Sequence, residues 1–336
     1  MKFRFACLLP PSLLILLAPA ITRADWPAKI FAPYMYIGAG DNFKLTDCCK
    51  ACGVKYYTLA FFIAREDRSR DGGKWGTAFH KEPAWDGTTP LGENLYADQI
   101  DAIRKQGGDV IASFGGADGK ELAFVEDDPV ALQADYQAVI DRYKFSWLDF
   151  DIEGGSLDMK IKGNAVRNSV IADLQKKNPG LRITFTLPVD PDGISDSARG
   201  LLTDAVAKGV KIYSANIMVM YFGDRFIHRG KSEGQLGIES ARRACQQVRK
   251  IDPTIQIGLC PCLGENGSNK EIFTVEDAKT LREFADQTPW ICSLHFWSIN
   301  DDAGRRAHPD RPATQPASDN QPWAFAEVFK SFTSNK

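Results

Sequence analysis

The chain has 336 residues, with 41 Lys and Arg, 43 Asp and Glu, and a formal net charge of -2. It contains no basic run, which argues against nucleic acid as a partner and suits a neutral polymer. Residues 1–24 predict a secretory signal, because Lys2 and Arg4 precede an apolar stretch that prolines interrupt. No later segment is apolar enough to span a bilayer, so we expect a secreted protein, extracellular or periplasmic, that has no contact with a membrane.

Seven cysteines follow the predicted signal, and in an exported protein some of them are expected to form disulfide bonds. Their odd number leaves at least one without an intramolecular partner, and the sequence does not determine which ones pair. The Cys49-x-x-Cys52 spacing does not predict a metal site, because no second Cys or His pair stands at zinc-site spacing. We expect neither a metal nor an organic cofactor. The seven are Cys48, Cys49, Cys52, Cys245, Cys260, Cys262 and Cys292.

Strand and helix patterns alternate along residues 25–336. The predicted strands cover 29–38, 54–64, 109–114, 145–155, 182–189, 211–221, 254–260 and 291–299. Helices are predicted at 93–106, at 128–143, from about 166 to an end at Asn178-Pro179-Gly180, at 197–208, at 235–250, after Thr274 and at 322–332. Long loops are predicted at 65–92 and 302–320. Eight strands alternating with helices predict a single α/β domain, a (β/α)8 TIM barrel. A doubly wound sheet has the same alternation, but no Gly-rich nucleotide motif follows the first strand.

The segment 145–155 (FSWLDFDIEGG) alternates apolar and acidic residues. As a strand it carries Leu148, Phe150 and Ile152 on one face and Asp149, Asp151 and Glu153 on the other. Like charges at this spacing do not all stay ionised, so at least one carboxyl pKa is expected to rise. A raised carboxyl pKa is what a general acid needs to break a glycosidic bond at neutral pH. A buried cluster of ion pairs with Lys or Arg is the structural alternative.

Several unusual residues stand where other predicted strands end, which in a barrel is the catalytic face. These are Ser113, Gly115 and Gly116 on the third strand, Met218 to Asp224 on the sixth, and Trp297 on the eighth. Together with the acidic strand, these segments resemble family 18 of the glycoside hydrolases, the chitinase family. The family motifs are D-x-x-D-x-D-x-E, S-x-G-G and a tryptophan at the end of the last strand. They are matched here by Asp149, Asp151 and Glu153, by Ser113, Gly115 and Gly116, and by Trp297.

The resemblance covers nearly all of residues 25–336, and stretches such as SFGGADG at 113–119 are similar to a bacterial chitinase subgroup. It implies that Glu153 protonates the leaving oxygen and that Asp151 holds the N-acetyl group, whose own oxygen attacks the anomeric carbon. It further implies that Asp149 shares a proton with Asp151 and that Trp297 forms an apolar floor under the sugar. The implied substrate is chitin or its N-acetylglucosamine oligosaccharides.

The chain departs from the family pattern at two places. Ser146 and Trp147 stand at the first acidic position of the strand motif and the position after it. On the sixth strand, Tyr221 and Phe222 replace the Asp-Tyr pair of the subgroup, whose aspartate helps to surround the acetamido group. We expect either the Tyr221 hydroxyl or the Asp224 carboxylate to take over that contact.

Two further residues complete the predicted substrate site. Trp85, in the predicted loop 65–92, is a candidate stacking platform for a distal sugar, and pinning of the loop is the alternative. Met218 is a candidate lining residue, and packing inside the barrel is the alternative.

The sequence therefore predicts a secreted, monomeric chitinase that cleaves β-1,4 bonds between N-acetylglucosamine units by a substrate-assisted, retaining route. One alternative is a chitinase-like carbohydrate-binding protein with weak catalysis, which the changes at Tyr221 and Phe222 keep open. A second alternative is an endo-N-acetylglucosaminidase acting on N-linked glycans, which uses the same residues.

Overall fold

The computed structural model describes residues 26–38, 43–71, 74–158, 162–227, 230–304 and 321–333. The predicted signal segment 1–24 and most of the predicted loop 302–320 lie outside these residues. Among the described helices, not one combines the length and the apolar character that crossing a membrane requires.

The described residues form an α/β fold of fourteen strands and eleven α-helices, with short 3₁₀ turns at Leu91–Glu93, Gly154–Leu157 and Lys330–Phe332. The strands are β1 Ile30–Phe31, β2 Tyr34–Tyr36, β3 Tyr56–Asp71, β4 Lys74–Trp85, β5 Thr89–Pro90, β6 Asp109–Gly115, β7 Trp147–Asp151, β8 Arg182–Asp190, β9 Gly193–Ile194, β10 Ile212–Met218, β11 Gln256–Cys260, β12 Gly264–Asn266, β13 Ser268–Phe273 and β14 Ile291–Leu294. The helices are α1 Leu45–Cys52, α2 Ala97–Lys105, α3 Leu122–Val125, α4 Pro129–Tyr143, α5 Lys162–Lys177, α6 Asp196–Ala207, α7 Asp224–Ile227, α8 Glu233–Ile251, α9 Val275–Asp286, α10 Ile299–Asp302 and α11 Ala324–Phe329.

The main sheet closes on itself as a parallel barrel. Its strands follow the order β14-β11-β10-β8-β7-β6-β3, and every neighbouring pair in this series is parallel. The first predicted strand is split at Pro33, which has no amide hydrogen to donate. Its first half, β1, pairs with β14, and its second half, β2, pairs with β3, so the split strand joins the two ends of the sheet. The prediction of a (β/α)8 barrel is confirmed.

The helices form the outer layer and begin where local capping allows. In α4 the Asp128 side chain accepts a hydrogen bond from the Val130 amide, and Pro129 occupies the first turn. In α9, Thr274 and Asp277 form a reciprocal capping box. Neighbouring helices pack side by side around the barrel, α4 on α5, α5 on α6, α6 on α8 and α8 on α9. The apolar core lies between this layer and the outer face of the sheet.

The prediction of a long loop at 65–92 is wrong. Strand β3 runs on past the barrel to Asp71, and β4 returns antiparallel beside it from Lys74 to Trp85. The sequence Asp71-Gly72-Gly73 between them is typical of a hairpin turn, and that signal was available. A second hairpin, β12–β13, and the helix α1 were also not predicted.

The seven cysteines that the structure describes form no disulfide bond, contrary to the expectation from the sequence. Each of them is a buried thiol. They sit in apolar packing or near backbone carbonyls; Cys52 Sγ, for example, donates to the Cys48 carbonyl oxygen at 3.0 Å. They therefore behave as small core residues.

Ser146 and Trp147, the first departure from the family motif, lie at the amino end of the barrel and make contacts there. Trp147 is buried inside it, and its indole donates to the Thr184 hydroxyl at 2.8 Å. The Ser146 hydroxyl accepts from the Trp26 indole at 2.9 Å, and the rings of Trp26 and Trp147 meet edge to face. An aromatic plug thus occupies the end of the barrel opposite the predicted site.

Candidate active site

Strand β7 alternates as its sequence predicts. Phe150 points outward and packs against Phe114 and Tyr136 in the layer beneath the helices. Asp149 and Asp151 point into the barrel, where both are at least 95% buried. The apolar face of this strand holds the sheet to the helices, which leaves the acidic face for the interior.

Asp149 lies at the centre of a hydroxyl cage. Its Oδ2 accepts from the Ser113 hydroxyl at 2.6 Å and from the Tyr34 hydroxyl at 2.9 Å, and its Oδ1 accepts from the Thr186 hydroxyl at 2.7 Å. Burial raises the pKa of Asp149 to about 6, and these three hydrogen bonds oppose that rise. Hydroxyls from strands β2, β6 and β8 hold this carboxyl, which does not fit the alternative of a Lys or Arg ion-pair cluster.

Asp151 is one step closer to the carboxyl end of the barrel. Burial, followed by the charges of Glu153 and Asp149, raises its pKa well above the usual range. Its Oδ1 is buried and has no hydrogen-bond partner among the described residues. A buried carboxyl oxygen without a partner costs free energy unless a ligand completes its bonding. Glu153 follows after two residues and is half-buried at the mouth of the barrel.

Two glycines bring the third strand against this carboxyl pair. Both have left-handed backbone conformations, with φ of 102° at Gly115 and 90° at Gly116. A Cβ at Gly115 would lie 2.2 Å from the Asp151 carbonyl oxygen, and one at Gly116 would lie 2.7 Å from the Phe61 ring. The Gly116 amide donates to the Asp151 carbonyl at 3.0 Å. The S-x-G-G sequence therefore works as a close-packing turn, with Ser113 alone touching a catalytic carboxyl.

A cleft of about 240 Å³ opens above these carboxyls at the carboxyl end of the barrel. Trp297 forms part of its floor, stacked on Phe61 with 5.5 Å between ring centroids and 14° between planes. Tyr34 and Tyr36 approach the same indole from the second strand. The other residues lining the cleft are Ile63, Asp86, Ala117, Asp118, Asp151, Glu153, Thr186, Pro188, Val189, Asp190, Met218, Met220, Tyr221 and Cys260.

The structure brings three of the eight predicted substrate residues to the lining of this cleft. Trp297, Met218 and Tyr221 line it, and Tyr221 is 46% exposed there. Asp224 begins α7 on the surface and does not line the cleft. Trp85 is fully buried, contrary to its predicted role as a sugar platform. Its indole donates to the Tyr143 hydroxyl at 2.8 Å, because β4 folds back under the helices.

Sequence reasoning missed several lining residues. Tyr34 and Tyr36 are two apart near the end of the first predicted strand, and that spacing places both on the inner face. The Tyr36 hydroxyl donates to Asp86 Oδ2 at 2.9 Å, a contact between segments 50 residues apart that no local pattern reveals. Cys260 ends β11 and lines the cleft beside the carboxyls. Burial raises the pKa of its thiol, and the charges of the nearby carboxyls raise it further.

The cleft has the features of a glycosidase site: paired carboxyls with shifted pKa values, aromatic walls and an opening to solvent. Within the described residues, no group of three or more His, Cys, Asp and Glu side chains is arranged to hold a metal ion. A (β/α)8 barrel with carboxyls at the end of its fourth strand defines the protein as a glycoside hydrolase in architecture.

Comparison with known proteins specifies the family. The catalytic domain of a hyperthermophilic chitinase from Pyrococcus furiosus superposes with a TM-score of 0.77 and is 30% identical, covering 93% of this chain and 97% of that one. Two curated relatives are a "Probable bifunctional chitinase/lysozyme" from Escherichia coli K12, 28% identical over 93% of this chain, and "Endochitinase 11" from Metarhizium anisopliae, 27% identical over 82%. No family model matches the chain. The chain belongs to family 18 of the glycoside hydrolases, the chitinase family.

The chain matches only part of the length of each curated relative. The chain spans 35% of the length of the Escherichia coli protein and 53% of the Metarhizium protein. The relatives come from a bacterium, a fungus and an archaeon, so membership of a bacterial subgroup stays a prediction.

Proposed function

We propose that the protein is a chitinase that hydrolyses β-1,4 bonds between N-acetylglucosamine units by a substrate-assisted, retaining route. The observation that carries the proposal is the pair formed by Asp151 and Glu153. One is a buried carboxyl with an unpaired oxygen, and the other is a half-buried carboxyl at the mouth of the same cleft. The chitinases to which the chain is similar support the choice of substrate.

In this proposal each carboxyl has a separate task. Glu153 reaches the solvent side of the cleft and donates a proton to the leaving glycosidic oxygen. The Asp151 oxygen that has no protein partner receives the acetamido N–H, which turns the acetyl oxygen toward the anomeric carbon. Asp149 accepts or releases the proton that it shares with Asp151, because two buried carboxyls so close together do not both ionise readily.

The charge of the cleft favours a neutral polysaccharide. Its described lining contains five carboxyl residues and no Lys or Arg: Asp86, Asp118, Asp151, Glu153 and Asp190. An anionic polymer would meet like charge along this wall. Chitin is uncharged, whereas the peptide-bearing glycan of a bacterial cell wall carries carboxylates, so we expect chitin to be the better substrate.

The test is product release from N-acetylglucosamine oligomers of four to six units, with wild type compared with Glu153→Gln. The proposal expects shorter oligomers from wild type, and a loss of turnover in Glu153→Gln of about a thousandfold or more with binding retained, because the proton donor is gone. The exposed residue change Glu93→Gln is the matched control and is expected to behave as wild type. Binding without turnover by wild type would instead identify a carbohydrate-binding relative, and cleavage of N-linked glycans alone would identify an endo-N-acetylglucosaminidase.

We further propose that the protein acts outside the cytoplasm, on the basis of the charged start and apolar stretch of residues 1–24. Mass spectrometry of the protein recovered from the medium or periplasm of an expressing cell tests this proposal. A mature amino terminus at Asp25 is the expected result, and retention of the full chain inside the cell would contradict it. A monomeric state also stays a prediction.

A further inference from the structure

The residue that most departs from the family pattern, Tyr221, is held by an element outside the barrel. This element is the β12–β13 hairpin, which follows β11 and pairs only with itself among the described residues. The Asn266 side-chain amide donates to the carbonyls of Cys262 and Gly264 at 3.1 and 2.8 Å, which fixes the hairpin at its base. These bonds brace the first strand of the hairpin, and Asn266 itself is buried.

One carboxylate of the hairpin fastens the segment that follows Tyr221. Glu271, on β13, is 2% exposed. Its Oε1 accepts the Phe222 amide, and its Oε2 accepts the Gly223 amide at 3.1 Å. Hydrogen bonds from two amides to one buried carboxylate are charge-assisted and strong. The chain after β10 is thus tied to the hairpin directly next to Tyr221.

The hairpin also touches the Tyr221 side chain. A Cβ built on Gly267 would lie 3.2 Å from Tyr221 Cδ1, so the ring rests against the backbone of the hairpin turn. Cys262 Sγ lies 3.9 Å from the Tyr221 hydroxyl oxygen, within the range of a weak sulfur hydrogen bond. Tyr221 has a left-handed backbone conformation, with φ of 52°, which a non-glycine residue adopts only when its surroundings hold it there.

The surroundings of Glu271 are acidic as well as buried. Glu233, in the first turn of α8, faces Glu271 and Asp277, and burial together with these two charges raises the pKa of Glu233 to about 8. The raised pKa favours the neutral form of Glu233, which weakens its repulsion of the neighbouring Glu271 side chain.

We propose that Glu271 is a positioning residue that acts through Tyr221: it fixes the Tyr221 ring as one wall of the cleft and so determines how tightly a sugar is held there. The proposal rests on the proposed function for the identity of the sugar. It assigns a role to the β12–β13 hairpin that the family motif does not contain. In this chain a clamped aromatic wall stands at the position where the subgroup has a carboxylate.

The first arm of the test separates binding from catalysis. Glu271→Ala is expected to raise KM for N-acetylglucosamine tetramer by about tenfold and to change kcat much less, because a wall contacts ground state and transition state alike. Glu271→Gln is expected to recover only part of the loss, since its single carbonyl oxygen can accept from one of the two amides whereas its NH2 group cannot accept from the other. Glu265→Ala, which removes an exposed carboxylate from the same hairpin, is the matched control and is expected to leave KM unchanged.

The second arm asks whether Glu271 acts through Tyr221. Tyr221→Ala is expected to raise KM by a similar factor, and the double variant Tyr221→Ala/Glu271→Ala is expected to be no worse than Tyr221→Ala alone. Effects that multiply in the double variant would overturn the proposal, because Glu271 would then act independently of the ring. A fall in Tm with KM unchanged would overturn it as well.

A third arm does not depend on turnover or on survival of Glu271→Ala. Gly267→Ala inserts a methyl group against the Tyr221 ring, whereas Gly53→Ala meets open space at a similar φ of 77°. Peptide-resolved nitration by tetranitromethane reports the exposure of Tyr221, with the partly buried Tyr213 as internal reference. We expect a several-fold faster modification of Tyr221 in Gly267→Ala and in Glu271→Ala, and no change in Gly53→Ala.

An unchanged nitration rate of Tyr221 in both Gly267→Ala and Glu271→Ala would overturn the proposal, whatever values of kcat and KM are measured. If wild type fails to cleave the oligomers while the nitration rate rises as expected, the proposed function fails and the clamp on Tyr221 stands.

Discussion

The indole of Trp297 lies parallel to the ring of Phe61, 14° between planes and 5.5 Å between centroids, across the floor of the cleft. The two residues come from opposite ends of the chain, and Phe61 gives the indole an apolar support. The peptide bonds before Phe61 and after Trp297 are both cis. The stacking of these two rings makes the floor of the cleft an aromatic layer, which under the proposed function faces the sugar.

We expect Trp297→Ala to reduce kcat/KM on oligomers by at least about tenfold, which corresponds to about 1.4 kcal/mol of transition-state stabilisation. The reason is the loss of the apolar surface on which the sugar ring rests. Steady-state kinetics with the tetramer and hexamer measure the effect. Trp290→Ala, which removes a partly buried tryptophan outside the cleft lining, is the control. Equal losses in the two variants would show that the effect is a general loss of folding.

Gly116→Ala should disturb the same aromatic floor. Its methyl group would lie 2.7 Å from the Phe61 ring, so the ring must shift from its stacked position on Trp297. Gly209→Ala has nearly the same φ, 89° against 90°, with nothing within 4 Å of the new methyl group. Both variants should lose about 1 kcal/mol of stability through the left-handed backbone. Only Gly116→Ala should also lose most of its activity, measured at a temperature where both are folded; matching activities would contradict this account.

Ser113→Ala should shift the acid side of the pH–activity profile. The Ser113 hydroxyl stabilises the charged form of Asp149, so its removal raises an Asp149 pKa that already stands at about 6. A hydrogen bond to a charged group contributes about 1.5 kcal/mol, or about one pH unit. The acid limb of kcat/KM should therefore move upward by about that amount. The exposed change Ser169→Ala is the control, and an acid limb that stays in place would remove Asp149 from the titration that governs activity.

Glu233→Gln should change the pH dependence of stability. The folded pKa of about 8 lies above the ordinary 4.5, so the folded protein retains a proton that the unfolded chain releases between these values. The contribution of Glu233 to stability is therefore fully present below about pH 4.5 and is lost as the pH rises toward about 8. A glutamine avoids this loss, and Tm of the variant should gain on wild type steadily from pH 5 to pH 8. Glu271 and Asp277 face the Glu233 side chain, whereas Glu283 is exposed, so Glu283→Gln is the control. Curves of Tm against pH that run parallel for wild type and Glu233→Gln would contradict a raised pKa of Glu233.

Local sequence patterns were sufficient to predict the barrel and the centre of the site. The alternation along 147–152 placed Asp149 and Asp151 inside, because one face of a barrel strand must be apolar to pack against helices. The alternation of strands and helices gave the fold class, and the cap at Asp128 and the box at Thr274 located two helices. These features depend on residues that are close together along the chain, so local sequence patterns are sufficient to predict them.

What the sequence did not reveal depends on contacts between distant segments. Trp85 was interpreted as a loop aromatic, but it is buried because β4 returns along β3. The Asp71-Gly72-Gly73 turn indicates such a return, but no local pattern indicates that Trp85 then packs against Tyr143. Tyr221, which the sequence pattern singled out, lines the cleft. Its clamp was missed, because Glu271 lies 49 residues away from Phe222 and its carboxylate bonds to backbone amides, which carry no sequence signature.

The seven buried thiols also bear on what happens when the protein unfolds. Each is buried in the native state, so we expect the folded protein to react only slowly with mild oxidants. Unfolding by heat would expose all of these thiols together. Disulfide crosslinks between chains would then compete with refolding. Recovery of activity after a heat pulse should accordingly depend on whether a reductant is present, even though the described part of the native chain contains no disulfide bond.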